Sequence, residues 1–138
     1  MKRWMTCAAV LGAVLTLGGC VAAPGPFDGT RTAADEVPAV AAHYVGDGEL
    51  ASSRYQGSAG GRELFLLRGT RGSQVCLVYT DGTDAGSGST CGGGSWLRAQ
   101  VANGAEFEVN ISGFPDGLGR GEEQVSPWVR LVQPARED

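Results

Sequence analysis

Lysine is nearly missing from this chain: of its 138 residues only Lys2 is one. No lysine therefore stands ready for a phosphate-binding loop, and the glycines from Gly86 to Gly94 do not follow that loop's pattern. Histidine occurs once, as His43. A Ser-His-Asp arrangement would have to use it, yet no Gly-x-Ser-x-Gly elbow presents a nucleophile. Histidine and cysteine nowhere cluster at zinc-binding spacing, and no Cys-x-x-Cys redox pair occurs. Basic charge is short as well, with 11 Lys and Arg against 15 Asp and Glu. An acidic chain repels phosphate backbones, which argues against a nucleic-acid partner. Beyond the N-terminus there is no second long apolar run.

The one long apolar run is therefore the feature to read first. Lys2 and Arg3 form a short cationic start. Met5 to Leu17 is apolar apart from Thr6 and Thr16, and small residues lead up to Cys20. That is the layout of an export signal. Leu17-Gly18-Gly19-Cys20 resembles the bacterial lipobox, in which Leu leads two small residues and an obligatory Cys. The resemblance implies a diacylglyceryl group on the Cys20 sulfur and cleavage between Gly19 and Cys20. It places the mature chain at the cell membrane, lipid-anchored on the extracytoplasmic face. Two or more acyl chains hold a protein stably where one holds it marginally, at about 0.8 kcal/mol per buried CH₂. Three other readings compete, one of them that Cys20 is an incidental thiol. Met5 to Ala23 approaches the ~20 residues of a membrane span, and Val21-Ala22-Ala23 resembles an ordinary cleavage site ahead of Pro24.

Removing the first 19 residues leaves 119, enough for one domain. Nine arginines then face 15 acids, a formal charge near −6. Cys7 leaves with the signal and Cys20 is used by lipid. Cys76 and Cys91 remain, and an oxidising compartment favours a disulfide between them.

Residues 20–35 read as the lipidated cysteine and a flexible tether, because Ala, Pro, Gly and Thr dominate and Phe27 is the only large apolar group. Such a stretch reaches about 20 Å on average. Asp35 to Tyr44 reads as a short helix capped by Asp35 with Pro38 in its first turn. Ser53–Gln56 is a first strand. Glu63–Arg68 and Gln74–Thr80 are apolar at consecutive positions across a glycine-containing loop. They form a hairpin that needs cover on both faces. Asp81–Gly94 reads as a Gly-Ser-Thr loop that a Cys76–Cys91 bond would pin, worth up to about 3 kcal/mol for a 15-residue loop. Trp96–Val101 and Glu106–Ser112 flank Asn103-Gly104, a type I′ turn signal. Phe107, Val109 and Ile111 point inward and Glu106, Glu108 and Asn110 outward. Gly113–Gly117 is a turn and Leu118–Gln124 an irregular loop. Trp128–Val132 is a last strand, stopped by Pro134, and residues 135–138 are a frayed tail.

The expected fold is thus mainly β, a small single-domain antiparallel meander of five or six strands over residues 36–134. It carries at most one short helix and one disulfide; an α+β arrangement is the alternative. Ser53-Arg54-Tyr55, Cys76-Leu77-Val78, the second cysteine and Pro115-Asp116-Gly117 together resemble small exported lipoproteins of high-GC Gram-positive bacteria. That resemblance implies a small β-domain and supplies no active site.

Asp81, Asp84 and Asp116 offer oxygens to Ca²⁺, but without EF-hand spacing they read as turn formers. Glu106 and Glu108 share a strand face, the arrangement a glycosidase would need, though the alternation sets them in water without a cleft. Asn110-Ile111-Ser112 spells a sequon of little weight in a bacterial lipoprotein. Trp96, Trp128, Tyr55 and Phe114 read as core. Neither a catalytic residue, a metal ligand nor a cofactor is assigned. The expected role is a membrane-anchored binding or accessory domain whose protein or envelope partner is unknown, the alternative being a small envelope hydrolase using paired carboxylates.

Overall fold

The computed structural model describes residues 24–137. The signal segment, Cys20 and Asp138 lie outside them. Eight strands form two antiparallel four-stranded sheets. β1 (Arg54–Ala59), β2 (Arg62–Arg68), β3 (Val75–Thr80) and β4 (Gly88–Gly92) make the first in simple meander order. β5 (Trp96–Gln100), β6 (Glu106–Asn110), β7 (Glu123–Ser126) and β8 (Val129–Gln133) make the second in the order β5-β6-β8-β7. The fold is mainly β with one disulfide, as expected, but it has eight strands rather than five or six. Its second half departs from a meander because β7 runs outside β8.

Two strands lie where loops were expected. β4 falls inside Asp81–Gly94, and β7 overlaps the irregular loop before Gln124. Neither has a strand-like apolar pattern. Each is extended because its neighbour presents unpaired backbone groups, which must find partners once buried.

The sheets pack face to face. Leu64, Leu66, Val75 and Leu77 meet Leu97, Ala99, Phe107, Val109, Val129 and Leu131 in one core. Phe65, Leu67, Cys76 and Val78 point the other way and are covered by Ala41 and Val45, with Val37 at the margin. The two apolar runs are therefore buried on both faces, as their lack of alternation requires. The edges also meet. Ser126 Oγ donates to Gln56 Oε1 at 2.7 Å, linking β7 to β1. A Cβ on Gly92 would stand 3.0 Å from Leu97 Cβ, where β4 turns into β5.

The expected helix shrinks to α1 (Ala39–Ala42), preceded by a 3₁₀ turn at Ala33–Asp35. Asp35 does not cap α1. Its carboxylate instead accepts the N–H groups of Thr32 and Tyr55, each at 2.8 Å. Partial burial pushes that carboxyl up, but these N–H groups and the Thr32 hydroxyl together hold it below its ordinary range.

The turns also differ from expectation. No non-glycine residue among those described has positive φ, so Asn103-Gly104 is not a type I′ turn. Val101 N–H reaches Ala105 O and Gly104 N–H reaches Val101 O, both at 2.9 Å, with Gly104 at φ 86°. This is a three-residue loop ending in a left-handed glycine. The two-residue hairpin with two positive φ values is Gly60-Gly61, at 56° and 73°. The tail is not wholly frayed either: Arg136 N–H donates to Asn103 O at 2.9 Å.

Residues from Pro24 to Asp35, expected as tether, lie along the domain. Phe27 packs at the edge of the core. Arg54 Nη2 donates to Phe27 O and Gly29 O at 3.4 and 3.0 Å. Arg31 Nη2 donates to Ser53 Oγ at 3.0 Å. Backbone carbonyls make much of this docking, which a count of apolar side chains does not register.

Candidate functional site

Antiparallel strands give the sandwich two distinct ends. β1, β3, β5 and β8 begin at one end, beside Pro24. β2, β4, β6 and β7 begin at the other, which also carries the turns after β1, β3 and β5.

The far end holds a cleft of about 450 Å³ between the Gly60-Gly61 turn and the start of the β3–β4 loop. Register puts Arg62 there: Glu63 pairs with Thr80, so Arg62 lies across from Asp81. Arg62 is only 9% exposed. Its Nη1 lies 3.3 Å from Asp81 Oδ2 and donates to Gly61 O at 3.1 Å. Its Nε is buried without a hydrogen-bond partner in the described structure.

The loop after β3 wraps around the Asp81 carboxylate. Thr83 Oγ1 and Thr83 N–H donate to Asp81 Oδ1 at 2.6 and 2.9 Å. A Cβ on Gly86 would fall 2.0 Å from the carboxyl, so any side chain there would displace the carboxylate from its place. Beneath, buried Thr80 accepts the Gly82 N–H at 2.9 Å and shares a hydrogen bond with Ser87 Oγ at 2.7 Å. The Thr83 hydroxyl first, then its N–H and the Arg62 guanidinium, hold the Asp81 carboxyl below its ordinary range. The cleft thus presents a fixed carboxylate, a buried guanidinium and the residues Ser58 and Glu63. Such a set orients a polar ligand by hydrogen bonds.

The lowered carboxyl has a consequence for pH. A group whose pKa is depressed in the folded state stabilises the fold above its unfolded pKa, about 3.9 for Asp. That contribution disappears as pH falls through the folded value. Thr83→Val should move the Asp81 carboxyl back toward its ordinary value in an NMR titration. It should also destabilise the domain more at pH 6 than at pH 2.5. An unmoved Asp81 titration would count against this wiring.

The sequence-derived candidates are scattered. Cys20 lies outside the described residues. Cys76 and Cys91 form the disulfide and sit directly opposite each other on β3 and β4. His43 is exposed, its Nε2 lying 3.1 Å from Asp84 Oδ1. A hydrogen bond to Asp84 also raises the Tyr44 hydroxyl pKa above its ordinary value. Asp84 is thereby drawn to the end of α1 while Asp81 is drawn to Arg62, and the Asp116 carbonyl accepts from Arg130. Among the described residues, no three His, Cys, Asp or Glu side chains converge as a metal site would require.

Glu106 and Glu108 do share a face, but they are half-buried and engaged. Arg98 Nη1 donates to Glu106 Oε1 at 2.8 Å, Arg98 Nη2 lies 3.6 Å from Glu108 Oε2, and Trp96 Nε1 donates to Glu108 Oε1 at 2.6 Å. They form a cross-strand ladder with β5 rather than flanking a scissile bond. Trp96 and Tyr55 are exposed rather than core, at 48% and 39%. Tyr55 packs at a tilt against Phe65, on the outer face of the first sheet, and Trp96 lies outside the second, so they form no common patch. Phe114 is half-buried beneath Arg130, 3.9 Å from the guanidinium to the ring centre.

Sequence reasoning missed Arg62. The available signal was an arginine beginning an apolar strand, but its partner becomes visible only once β2 and β3 are in register. Two further clefts, about 430 and 470 Å³, lie at the Pro24 end and share Pro24, Gly25, Pro127 and Trp128.

No protein-family model, curated protein or solved structure matches this chain.

Proposed function

We propose that this protein is an extracytoplasmic lipoprotein. A small disulfide-bridged β-domain is held at the outer face of the cell membrane by diacylglycerol on Cys20, and it binds an envelope component or protein rather than catalysing a reaction. The observation that carries this reading is Leu17-Gly18-Gly19-Cys20 closing the one long apolar run, directly after Lys2 and Arg3. The Cys76–Cys91 bond supports it, since disulfides persist in oxidising compartments. The Arg62–Asp81 cleft is the surface best suited to a polar ligand. Engagement of Glu106 and Glu108 by Arg98 and Trp96 weighs against a carboxylate-pair hydrolase.

Radiolabelled palmitate supplied to expressing cells should enter the wild-type protein. Cys20→Ala should lower the label by at least about tenfold, because the thioether is the first site of attachment. A mature chain beginning at Ala22 or Pro24 by intact mass, or label that survives Cys20→Ala, would overturn the proposal.

A further inference from the structure

The anchor, taken as proposed above, also sets which way the domain faces. From Pro24 onward the chain is packed on the domain: Phe27 at the core edge, its carbonyl and that of Gly29 held by Arg54, and Asp35 held by the Tyr55 N–H. The Arg68 guanidinium also lies 5.0 Å from the centre of the Phe27 ring. Only Val21, Ala22 and Ala23 then separate Cys20 from the docked segment. Four Cα steps of 3.8 Å span at most ~15 Å. The leash is therefore short, and whichever surface surrounds Pro24 is brought to the lipid.

That surface has suitable chemistry. Pro24 and Gly25 line a cleft with Ile111, Gly113, Pro127 and Trp128, and none of its lining residues is ionisable. The neighbouring cleft carries one charge of each sign, Asp35 and Arg54. The exposed Asp28 carboxylate, which accepts the Gly25 N–H at 2.6 Å, stands at the rim; on a chain this acidic, an uncharged cleft with a single acid beside it limits repulsion from anionic headgroups. The indole of Trp128 is half-buried, and tryptophan is favoured at the headgroup level.

We propose that the Trp128 end of the sandwich lies against the headgroups of the membrane that holds Cys20, and that the Arg62–Asp81 cleft faces away from it. β2 and β3 are seven and six residues long, so they set the two ends ~20 Å apart. The lipid surface is thus the occupant of the Trp128 patch, and the Arg62 cleft is left open to soluble or wall-bound ligands.

The test uses the mature lipidated protein in phosphatidylcholine vesicles, a fraction of whose headgroups carry a nitroxide. Trp4 precedes the cleavage site, so Trp96→Phe leaves Trp128 as the one tryptophan of the mature chain. Its fluorescence should fall by about twofold or more on adding the nitroxide lipid, as expected for an indole at headgroup depth. Inserting fifteen Gly and Ser residues between Ala23 and Pro24 adds a reach of ~20 Å and should abolish most of the quenching while the protein stays bound. Intact mass separates the two readings. A lipidated chain whose Trp128 is unquenched overturns the orientation and leaves the anchor standing. A chain without lipid overturns the anchor, and the orientation with it. Quenching that persists after the insertion overturns the short leash as its cause.

Discussion

Replacing Cys76 and Cys91 together by alanine should destabilise the folded domain by about 3 kcal/mol. The bridge joins residues 15 apart. In the chain-entropy description, closing a loop of that length restricts the unfolded ensemble by about this amount. The native side adds to it. Cys76 is fully buried among Phe65, Leu67, Val78, Ala41 and Val45, and Cys91 packs against the same group. β4 has little else to hold it: Gly88, Ser89, Thr90 and Gly92 bring no large apolar side chain, and the Ser89 hydroxyl reaches across only to the Tyr44 carbonyl. Hydrogen exchange should therefore quicken first in β4 and in the Asp81–Ser87 loop before it. The midpoint of thermal unfolding should fall by about 10 °C for a domain of this size. A loss below about 1 kcal/mol in urea would show that β4 is held by its backbone ladder alone. By contrast, breaking the half-exposed Arg98–Glu106 pair should cost no more than about 1 kcal/mol.

The same strand shows where the sequence stopped being informative. Leu64–Leu67 and Val75–Val78 announce themselves as strands covered on both sides, because each presents four apolar residues in a row. β6 is equally plain, since Phe107 and Val109 are buried while Glu106 and Glu108 are not. β4 and β7 carry no such pattern. Their extension is imposed by a neighbour's free N–H and C=O groups, which is information held in β3 and β8 rather than in the strands themselves. Turn chemistry misled for a related reason. Asn103 is spent on one tertiary and one local bond, with Nδ2 donating to Gly60 O at 2.9 Å and Oδ1 accepting the Ala105 N–H at 3.0 Å, and it keeps negative φ. The Arg62–Asp81 pair spans two strands and needs their register before it can be seen. The docking of Phe27 and Gly29 rests on Arg54 and their own carbonyls, which hydrophobicity does not count. Composition read those residues as slack, and their docking on the domain is the observation on which the proposed orientation rests.

Phe107→Ala should cost about 4 kcal/mol, the largest effect of any single substitution considered. Phe107 is fully buried on β6, between Ala99 of β5 and Leu131 of β8. Its ring also reaches the other sheet: a Cβ on Gly60 would stand 3.2 Å from Phe107 Cζ and 3.0 Å from Ala105 Cβ. The cost of a large-to-small change depends on how far its surroundings can close over the gap. Here they are poorly able to. Gly60 sits in a two-glycine turn with positive φ and is tied by Asn103 across to the β5–β6 loop. Ala99 and Ala105 are too small to fill the space. Denaturation in urea should show the loss at an unchanged slope, since the surface exposed on unfolding scarcely alters. A cost below about 2 kcal/mol would mean that the Gly60-Gly61 turn moves in to fill the void. That turn is one wall of the Arg62 cleft, so such a collapse would also narrow the cleft, and a crystal structure of the variant would show it. If instead the turn holds its place, the cavity should stay open beneath an intact cleft, and the stability loss should leave the Arg62–Asp81 geometry untouched.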